Sequence, residues 1–291
     1  MGLTMFLLGL LYVGFVAALI VLLKSWVLVA VLIGAMFVAQ FWFSDRIAMF
    51  AMRGRVVERE EYPGLHAVVD RLCALADLPK PVVAVSAMDM PNAFATGRSA
   101  DHAVVCVTTG LLRRLEPAEL EGVLAHELSH VRHKDVAVIT IASFLGVVAG
   151  LVVRFAFYSQ VFGGRRDQNT AAVFAAVLGV SAAVYAISFL LIRALSRYRE
   201  LAADRAAALL TGRPSALAAA LTKVTGEIAR IPTKDLRTAQ AFNAFYFTPA
   251  TGREPGIERF FSTHPSLEQR LEQLGRISAE LGEAATPGKA G

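Results

Sequence analysis

Four long runs of apolar residues dominate the hydropathy pattern of this chain. Residues 3–23 contain no charged side chain, and a second run, residues 26–43, follows after a gap of two residues. Two further runs occupy residues 136–157 and 171–192. Because about 20 helical residues cross a hydrocarbon layer about 30 Å thick, each run is long enough to span a membrane. The pattern predicts four transmembrane helices arranged as two hairpins.

Basic residues near the ends of these runs predict the orientation of the spans. Four spans place both chain ends on one side of the membrane, and most of the flanking Lys and Arg residues fall on that side. These residues are Arg46, Arg53, Arg55, Arg132, Lys134, Arg193, Arg197 and Arg199. Since basic residues are enriched in cytoplasmic loops, we expect both termini to be cytoplasmic. A cleavable signal peptide is the alternative for residues 3–23, but that run lacks a basic N-terminal region.

The polar parts of the chain form two segments that the second hairpin separates. The predicted organisation is an N-terminal hairpin (1–43), a first catalytic segment (44–135), a second hairpin (136–192), a second catalytic segment (193–282) and a flexible tail (283–291). Since both segments lie on the same side, they can fold as one domain. Periodicity predicts helices at 61–78, from 117 onward, 214–231 and 266–281, strands at 82–86 and 103–108, and a long loop at 232–257.

Composition favours a membrane protein over a soluble one. The 291 residues are 55% hydrophobic and only 18% charged, and the mean hydropathy is +0.52. The net charge is +5, but the basic residues are dispersed beside apolar runs, so nucleic acid is not an expected partner. The two cysteines, Cys73 and Cys106, are too few for a disulfide framework.

The segment His126-Glu127-Leu128-Ser129-His130 lies in the helix predicted from Pro117. At 100° per residue, His126 and His130 lie on one helix face one turn apart, with Glu127 beside them. Two imidazoles can bind Zn²⁺ at about 2.0 to 2.1 Å, and the carboxylate between them can act as a general base. The alternative is an exposed polar face with two incidental histidines. The pattern predicts a catalytic site with one Zn²⁺ per chain.

A catalytic zinc needs a third protein ligand, and Glu200 is the candidate. The second hairpin leaves the membrane surface shortly after His130 and returns to it shortly before Glu200, so the two residues can meet in space. Asp204 follows one helical turn later, where it can hold a histidine through a hydrogen bond. For both acids the alternative is a solvated charged face that neighbouring arginines balance.

These motifs resemble the HtpX family of membrane zinc metallopeptidases, which are relatives of the CAAX prenyl proteases. Besides the segments around His126 and Glu200, the resemblance rests on Asn92-Ala-Phe-Ala-Thr-Gly97 and on His264-Pro265 with Arg270, and it extends over nearly the whole chain. It implies a mainly α integral membrane protein with an α+β, zincin-like (gluzincin) cytoplasmic catalytic domain. It also implies zinc on His126, His130 and Glu200, with Glu127 as the base.

Further site residues follow from the resemblance and have simpler alternatives. Asn92, Ala93 and Phe94 are expected to line the substrate cleft as an edge strand that pairs with an extended peptide, although an ordinary edge strand has the same sequence. His264 is expected to be catalytic as a donor to the oxyanion, and Arg270 is expected to pair with Asp204. Asp135 either supports a ligand or only marks a helix boundary.

The expected activity is zinc-dependent endopeptidase cleavage. Glu127 takes a proton from the attacking water and passes it to the leaving amine. The expected substrates are misfolded or damaged membrane proteins and their cytoplasmic segments, as in membrane protein quality control and stress response, and the expected partners are these proteins and the lipid bilayer. CAAX-type prenyl-peptide processing and a non-catalytic membrane scaffold are the alternatives. An intramembrane protease is disfavoured because charged residues surround the histidine motif.

Overall fold

The computed structural model describes residues 2–23, 26–162, 168–228 and 264–285. The chain divides into two compact units. The first comprises Met1–Phe43 and Ala137–Leu195, and the second comprises Ser44–Val136 and Ser196–Gly291. The functions assigned above to the individual segments stay predictions.

Helices and short strands alternate only in the second unit. In chain order the elements are α1 (Gly2–Leu23), α2 (Trp26–Trp42), α3 (Ser44–Ala51), β1 (Gly54–Val56), α4 (Pro63–Ala76), β2 (Val82–Ser86), β3 (Ala93–Thr96), β4 (Val104–Thr108), α5 (Thr109–Arg114), α6 (Pro117–Arg132), α7 (Asp135–Phe162), α8 (Gln168–Thr211), α9 (Pro214–Ile228) and α10 (Leu267–Ala285). A short 3₁₀ turn, Ala100–His102, precedes β4. The described residues are therefore mostly helical.

Helices occupy all four places where spans were predicted, but their lengths and compositions differ. Within the described ranges, one helix, Ala175–Thr211, is long and apolar enough to cross a membrane. A further candidate joins Pro117–Arg132 to Ala137–Gly150, two helices bent by 55° relative to each other. In the first unit, Phe15, Phe144 and Val184 pack together as a buried cluster. The count of four spans stays a prediction.

A four-stranded sheet organises the second unit. Its strand order is β1-β2-β4-β3. The central strands β2 and β4 are parallel, and the edge strands β1 and β3 are antiparallel to their neighbours. The predicted strands at 82–86 and 103–108 are confirmed, with β4 beginning one residue later. Both are rich in valine, which suits central strands that are buried on both faces.

Helix α6 crosses the core of the second unit and carries the histidine motif. Pro117 occupies its first turn, and Glu116 and Glu119 form a capping box, since the Glu119 carboxylate accepts a hydrogen bond from the Glu116 N–H at 2.8 Å. A Cβ on Gly122 would lie 3.3 Å from Leu217 of α9, so glycine permits the close approach of these two helices. The helix is thereby fixed at its start and along one side.

The C-terminal helix is longer than the sequence pattern predicts. The flexible tail predicted at 283–291 stays a prediction, but helix α10 continues to Ala285, four residues beyond the predicted end at 281. Its last turns contain Leu, Glu and Ala, which are strong helix formers, so the helix continues past the last apolar contact. Residues 286–291 and the loop predicted at 232–257 lie outside the described residues.

Candidate active site

Two histidines of α6 face each other inside the second unit. The Nε2 atoms of His126 and His130 are 3.1 Å apart, and the ring centroids are 4.7 Å apart at an interplanar angle of 86°. His126 is 1% exposed, and the helix is anchored through buried side chains such as Leu124 and Leu128. The helical period therefore delivers two imidazole nitrogens to one point.

Glu200 of α8 reaches the same point from a distant part of the sequence. Its Oε1 lies 3.4 Å from His130 Nε2, and its Oε2 lies 3.8 Å from His126 Nε2. One donor atom from each of the three residues lies within 4.8 Å of the other two. Two tetrahedral ligands at about 2.0 to 2.1 Å from a zinc ion are about 3.3 Å apart, so these separations fit zinc.

Asp204 and Arg270 support His126 from behind. Asp204 Oδ1 lies 2.9 Å from His126 Nδ1. Arg270 of α10 donates two hydrogen bonds to the Asp204 carboxylate, from Nε to Oδ2 at 2.7 Å and from Nη2 to Oδ1 at 2.6 Å. Asp204 is 0% exposed and Arg270 is 1% exposed. A carboxylate on Nδ1 holds the proton there and leaves the lone pair of Nε2 directed at the metal position.

A second carboxylate supports His130 in the same way. Asp135 Oδ2 lies 2.6 Å from His130 Nδ1, and its other oxygen forms an ion pair with Arg199. Arg199 is buried, and this burial lowers the pKa of its guanidinium to about 10, so the group stays charged at neutral pH. Each histidine therefore has its own carboxylate, and each carboxylate has its own arginine.

His264 contacts Glu200 directly. Its Nδ1 lies 3.0 Å from Glu200 Oε2, and Arg270 Nη1 lies 3.8 Å from the same oxygen. His264 and Arg270, the two site residues predicted from the C-terminal segment, thus contact Glu200 and Asp204. The position of His264 suits the orientation of Glu200. Its donation to an oxyanion stays a prediction.

The pKa values of His126 and Glu200 shift in the directions that favour metal binding, whereas the pKa of His130 shifts in the opposite direction. Burial lowers the pKa of His126 despite the neighbouring Asp204, which favours the neutral ring. Burial alone would raise the pKa of Glu200, but His264 and His130 outweigh it and hold this pKa well below its usual range. Burial alone would lower the pKa of His130, but the Glu200 carboxylate outweighs it and raises this pKa. A cation would displace the proton that Glu200 favours on His130.

The buried carboxylates of the site outnumber the buried guanidiniums. Four buried carboxylates, those of Glu127, Asp135, Glu200 and Asp204, lie around the two histidines, and they face two buried guanidiniums, those of Arg199 and Arg270. When both histidines are neutral and all four carboxyls are ionised, the net charge is −2. Buried charge is costly unless it is compensated. One divalent cation would compensate this charge.

Glu127 points from α6 toward the edge of the sheet. The backbone N–H of Ala95 on β3 donates a hydrogen bond to Glu127 Oε2 at 2.9 Å. The side chain is 4% exposed, and burial raises the pKa of its carboxyl to about 7, although the neighbouring His130 acts in the opposite direction. A carboxyl with a pKa near neutral pH can both accept and return a proton.

Strand β3 is an edge strand of the sheet, and its pairing with a substrate peptide stays a prediction. Asn92, Ala93 and Phe94 are at most 4% exposed, so their side chains belong to the core. The Asn92 carbonyl accepts a hydrogen bond from the Thr108 N–H, so the backbone groups of residues 93 and 95 alternate away from β4. Within β3, Ala95 alone is partly exposed.

Sequence reasoning missed two residues of the site. Arg199 was interpreted as a membrane-flanking charge and as one of the arginines that balance a charged face, and Ala95 was named only within the motif from Asn92 to Gly97. The pairing of Arg199 with Asp135 joins residues 64 positions apart, and no spacing rule predicts it. The hydrogen bond from Ala95 depends on how the sheet edge lies against α6, so no sequence signal predicts it.

Comparisons with known proteins agree with this arrangement. The sequence model of peptidase family M48 matches residues 59–278, which include every site residue named above. The chain is 85% identical over 290 residues to "Protease HtpX homolog 1" of Streptomyces coelicolor, covering 100% of this chain and 95% of that relative. It is 51% identical over 284 residues to "Protease HtpX homolog" of Moorella thermoacetica, covering 97% and 95%.

A solved structure also has a similar fold. The chain is similar to S. mikatae Ste24p with a TM-score of 0.53 and 18% sequence identity. The similarity covers 91% of this chain and 62% of that one, so this chain spans less than two thirds of Ste24p.

Proposed function

We propose that this chain, which belongs to peptidase family M48, is a zinc-dependent endopeptidase that acts at a membrane. Its similarity to HtpX proteases confirms the resemblance predicted from its motifs. The observation that carries the proposal is the meeting of His126, His130 and Glu200 around one point, with Glu127 beside them.

The residues that would hold the metal are His126 and His130 through Nε2 and Glu200 through its carboxylate. Their mutual distances fit zinc, and the net charge of the surrounding buried groups favours a divalent cation. A bound zinc ion supplies Lewis acidity, which polarises a peptide carbonyl and makes water more acidic. Three protein ligands leave one tetrahedral position open for water or substrate.

Glu127 is the proposed general base. It takes a proton from the attacking water and returns it to the leaving amine. The Ala95 N–H holds one carboxylate oxygen at 2.9 Å and so fixes the direction of the carboxylate. The raised pKa, about 7, keeps the proton affinity high enough for this transfer. His264 and Arg270 hold Glu200 and Asp204 in place around the metal position.

The substrate is proposed to bind as an extended strand along β3. This strand pairs with β4 on one side only, and on its other side the Ala95 N–H already donates to Glu127, so a peptide would pair through the Ala95 carbonyl. Because Glu127 bonds to Ala95, a peptide paired at this edge would pass beside the proposed base. The recognition is therefore directed at backbone, which suits unfolded or extended segments of many sequences.

The proposed location is the cell membrane, with four spans and with the catalytic unit and both termini in the cytoplasm. The support is the apolar helix Ala175–Thr211 and the four apolar runs of the sequence. Both sequence segments that supply site residues are close in sequence to long apolar helices. Helix α7 begins at Asp135, and Glu200 lies in α8. The proposed substrates are therefore damaged membrane proteins and their cytoplasmic segments.

The test is proteolysis of unfolded casein by the purified full-length protein. We expect cleavage that a chelator abolishes and added zinc restores. Glu127→Gln should bind zinc normally and lose activity by about 10³-fold or more, since it removes the base but keeps the shape of the site. Full activity in Glu127→Gln, or cleavage that survives complete removal of the metal, would contradict the proposed function.

A further inference from the structure

The short helix α3 carries apolar side chains on two opposite faces. On one face, Ala48 is 0% exposed, and Met52, which follows the helix end, is 1% exposed; both belong to the core of the second unit. On the other face, Ile47 is 56% exposed and Phe50 is 88% exposed. At 100° per residue, Phe50 and Ala48 point about 160° apart. The core contacts fix the rotation of the helix, so the outer side chains are held away from the protein.

We call the surface formed by Ile47 and Phe50 the outer face of α3. Single exposed apolar residues are common on proteins, but two neighbouring ones on a helix whose opposite face is fixed in the core indicate a binding surface.

We propose that the outer face of α3 lies in the interfacial layer of the lipid bilayer and seats the β3 edge beside the lipid headgroups. This inference rests on the proposed membrane location. Helix α3 begins at Ser44, two residues after α2 ends at Trp42. Because α2 is one of the predicted spans, chain connectivity alone keeps α3 within a few ångströms of the membrane surface.

The charges beside the outer face favour an anionic lipid surface. Arg46 lies one helical turn before Phe50, and Arg53 follows the end of α3; both side chains are exposed. Basic residues next to buried apolar side chains are typical of helices that lie flat in the headgroup layer.

The size of the surface disfavours a protein partner. A stable protein interface buries about 800 Å² on each side, which is more than the side chains of Ile47 and Phe50 supply. A lipid layer has no such minimum, because each apolar side chain inserts independently. The bilayer is therefore the occupant that this small surface fits.

The consequence concerns substrate selection. Helix α3 packs beside β1 and β3, and Met49 of α3 lies against Gly54 of β1 and packs on the core of the second unit. A bilayer contact at α3 therefore limits how far the β3 edge can move from the headgroups. Peptide segments tethered close to the membrane would meet the edge at high effective concentration.

Spin labelling of the full-length protein in vesicles of phosphatidylethanolamine and phosphatidylglycerol tests the contact. A label at Phe50→Cys is compared with labels at Leu190→Cys, on an exposed position of α8, and at Glu280→Cys, at an exposed carboxylate. The native cysteines are buried, and burial raises the pKa of Cys106 to about 12, so both thiols should resist labelling. Unlabelled wild type measures this background.

We expect the Phe50 label to collide with dissolved oxygen more than with a water-soluble nickel chelate, as the Leu190 label does. The Glu280 label should show the reverse preference. Nickel access at Phe50 equal to that at Glu280 would overturn the proposal, and so would shielding from both reagents, which indicates a protein cover. A nickel-accessible label at Leu190 would instead refute the membrane location, on which the proposal depends.

A kinetic comparison tests the consequence. We expect Phe50→Ser to lower cleavage of a peptide tethered to the same vesicles by about fivefold and to leave cleavage of soluble casein unchanged. Leu75→Ser, at a position 59% exposed on α4, is the matched control and should change neither rate. Equal rates for Phe50→Ser and wild type on the tethered peptide would overturn the proposal. If the wild-type protein cleaves neither substrate, the proposed peptidase function is instead refuted.

Discussion

Arg270 holds the carboxylate of Asp204 through two parallel hydrogen bonds, of 2.7 Å and 2.6 Å, in a fully buried position. Asp204 in turn contacts the Nδ1 atom of His126, so an arginine of the C-terminal helix fixes the direction of a proposed metal ligand on α6. This chain of contacts explains how a segment remote in sequence contributes to the site without touching the metal position itself.

Removing the carboxylate of Asp204 should weaken metal binding. In Asp204→Asn the hydrogen bond to His126 loses its charge and Arg270 becomes a buried unpaired cation. We expect zinc affinity to fall by about 10- to 100-fold, measured by competition with a coloured chelator. The metal-free protein should also lose about 3 to 5 kcal/mol of unfolding free energy. Unchanged zinc affinity in a folded Asp204→Asn protein would contradict the role of Asp204.

Removing the charge of Arg199 should affect the second histidine. Arg199→Met leaves Asp135 without its cation, and the orientation of His130 becomes less fixed. We expect zinc affinity to fall by about tenfold, with partial recovery in Arg199→Lys. The matched control is Arg205→Gln, since the Arg205 side chain is 54% exposed, and zinc affinity should not change there. Equal zinc affinities in Arg199→Met and Arg205→Gln would show that Arg199 is only structural.

The pH dependence of cleavage should follow the ionisation of Glu127. Burial raises the pKa of this carboxyl to about 7 without a metal, and a nearby divalent cation favours the carboxylate and lowers the pKa. As the pH falls through this pKa, the base becomes protonated and activity is lost. We expect the acidic limb of kcat/KM to have a midpoint below 7, measured with zinc content at each pH. A midpoint above 7 with zinc fully bound would contradict this assignment.

The hydrogen bond from Ala95 should also affect the pKa of Glu127. Ala95→Pro removes the N–H that donates to Glu127 but spares the pairing of β3 with β4, because this N–H is directed away from β4. The Ala95 hydrogen bond favours the carboxylate, so its loss should raise the pKa of Glu127 and shift the acidic limb to higher pH. We expect kcat to fall by about tenfold or more with zinc content unchanged. An unshifted pH profile would contradict this role.

Most residues of the proposed metal site can be predicted from the sequence because helix geometry is regular. The spacing of His126 and His130 requires both rings on one face, and the apolar runs indicate that Glu200 returns near them. Asp204 and Arg270 could be proposed as a pair, since a buried acid needs a partner. In each of these cases a single rule, of helix spacing, hydropathy or charge pairing, is enough to predict the residue's position.

The remaining features depend on tertiary packing, which no local rule supplies. The pair of Asp135 and Arg199 forms only when the start of α7 meets α8, and the bond from Ala95 depends on how the sheet edge lies against α6. The motif from Asn92 to Gly97 predicts an edge strand, but it does not indicate that the side chains of Ala93 and Phe94 are buried in the core.

The central claim is that His126, His130 and Glu200 bind one zinc ion. Metal analysis of purified wild-type protein beside Glu200→Ala, with X-ray absorption at the zinc edge, tests it most directly. We predict one zinc per chain with two imidazole nitrogens at about 2.0 to 2.1 Å and a carboxylate oxygen, and a loss of bound zinc in Glu200→Ala. Full zinc occupancy in Glu200→Ala with an unchanged absorption spectrum would contradict the claim.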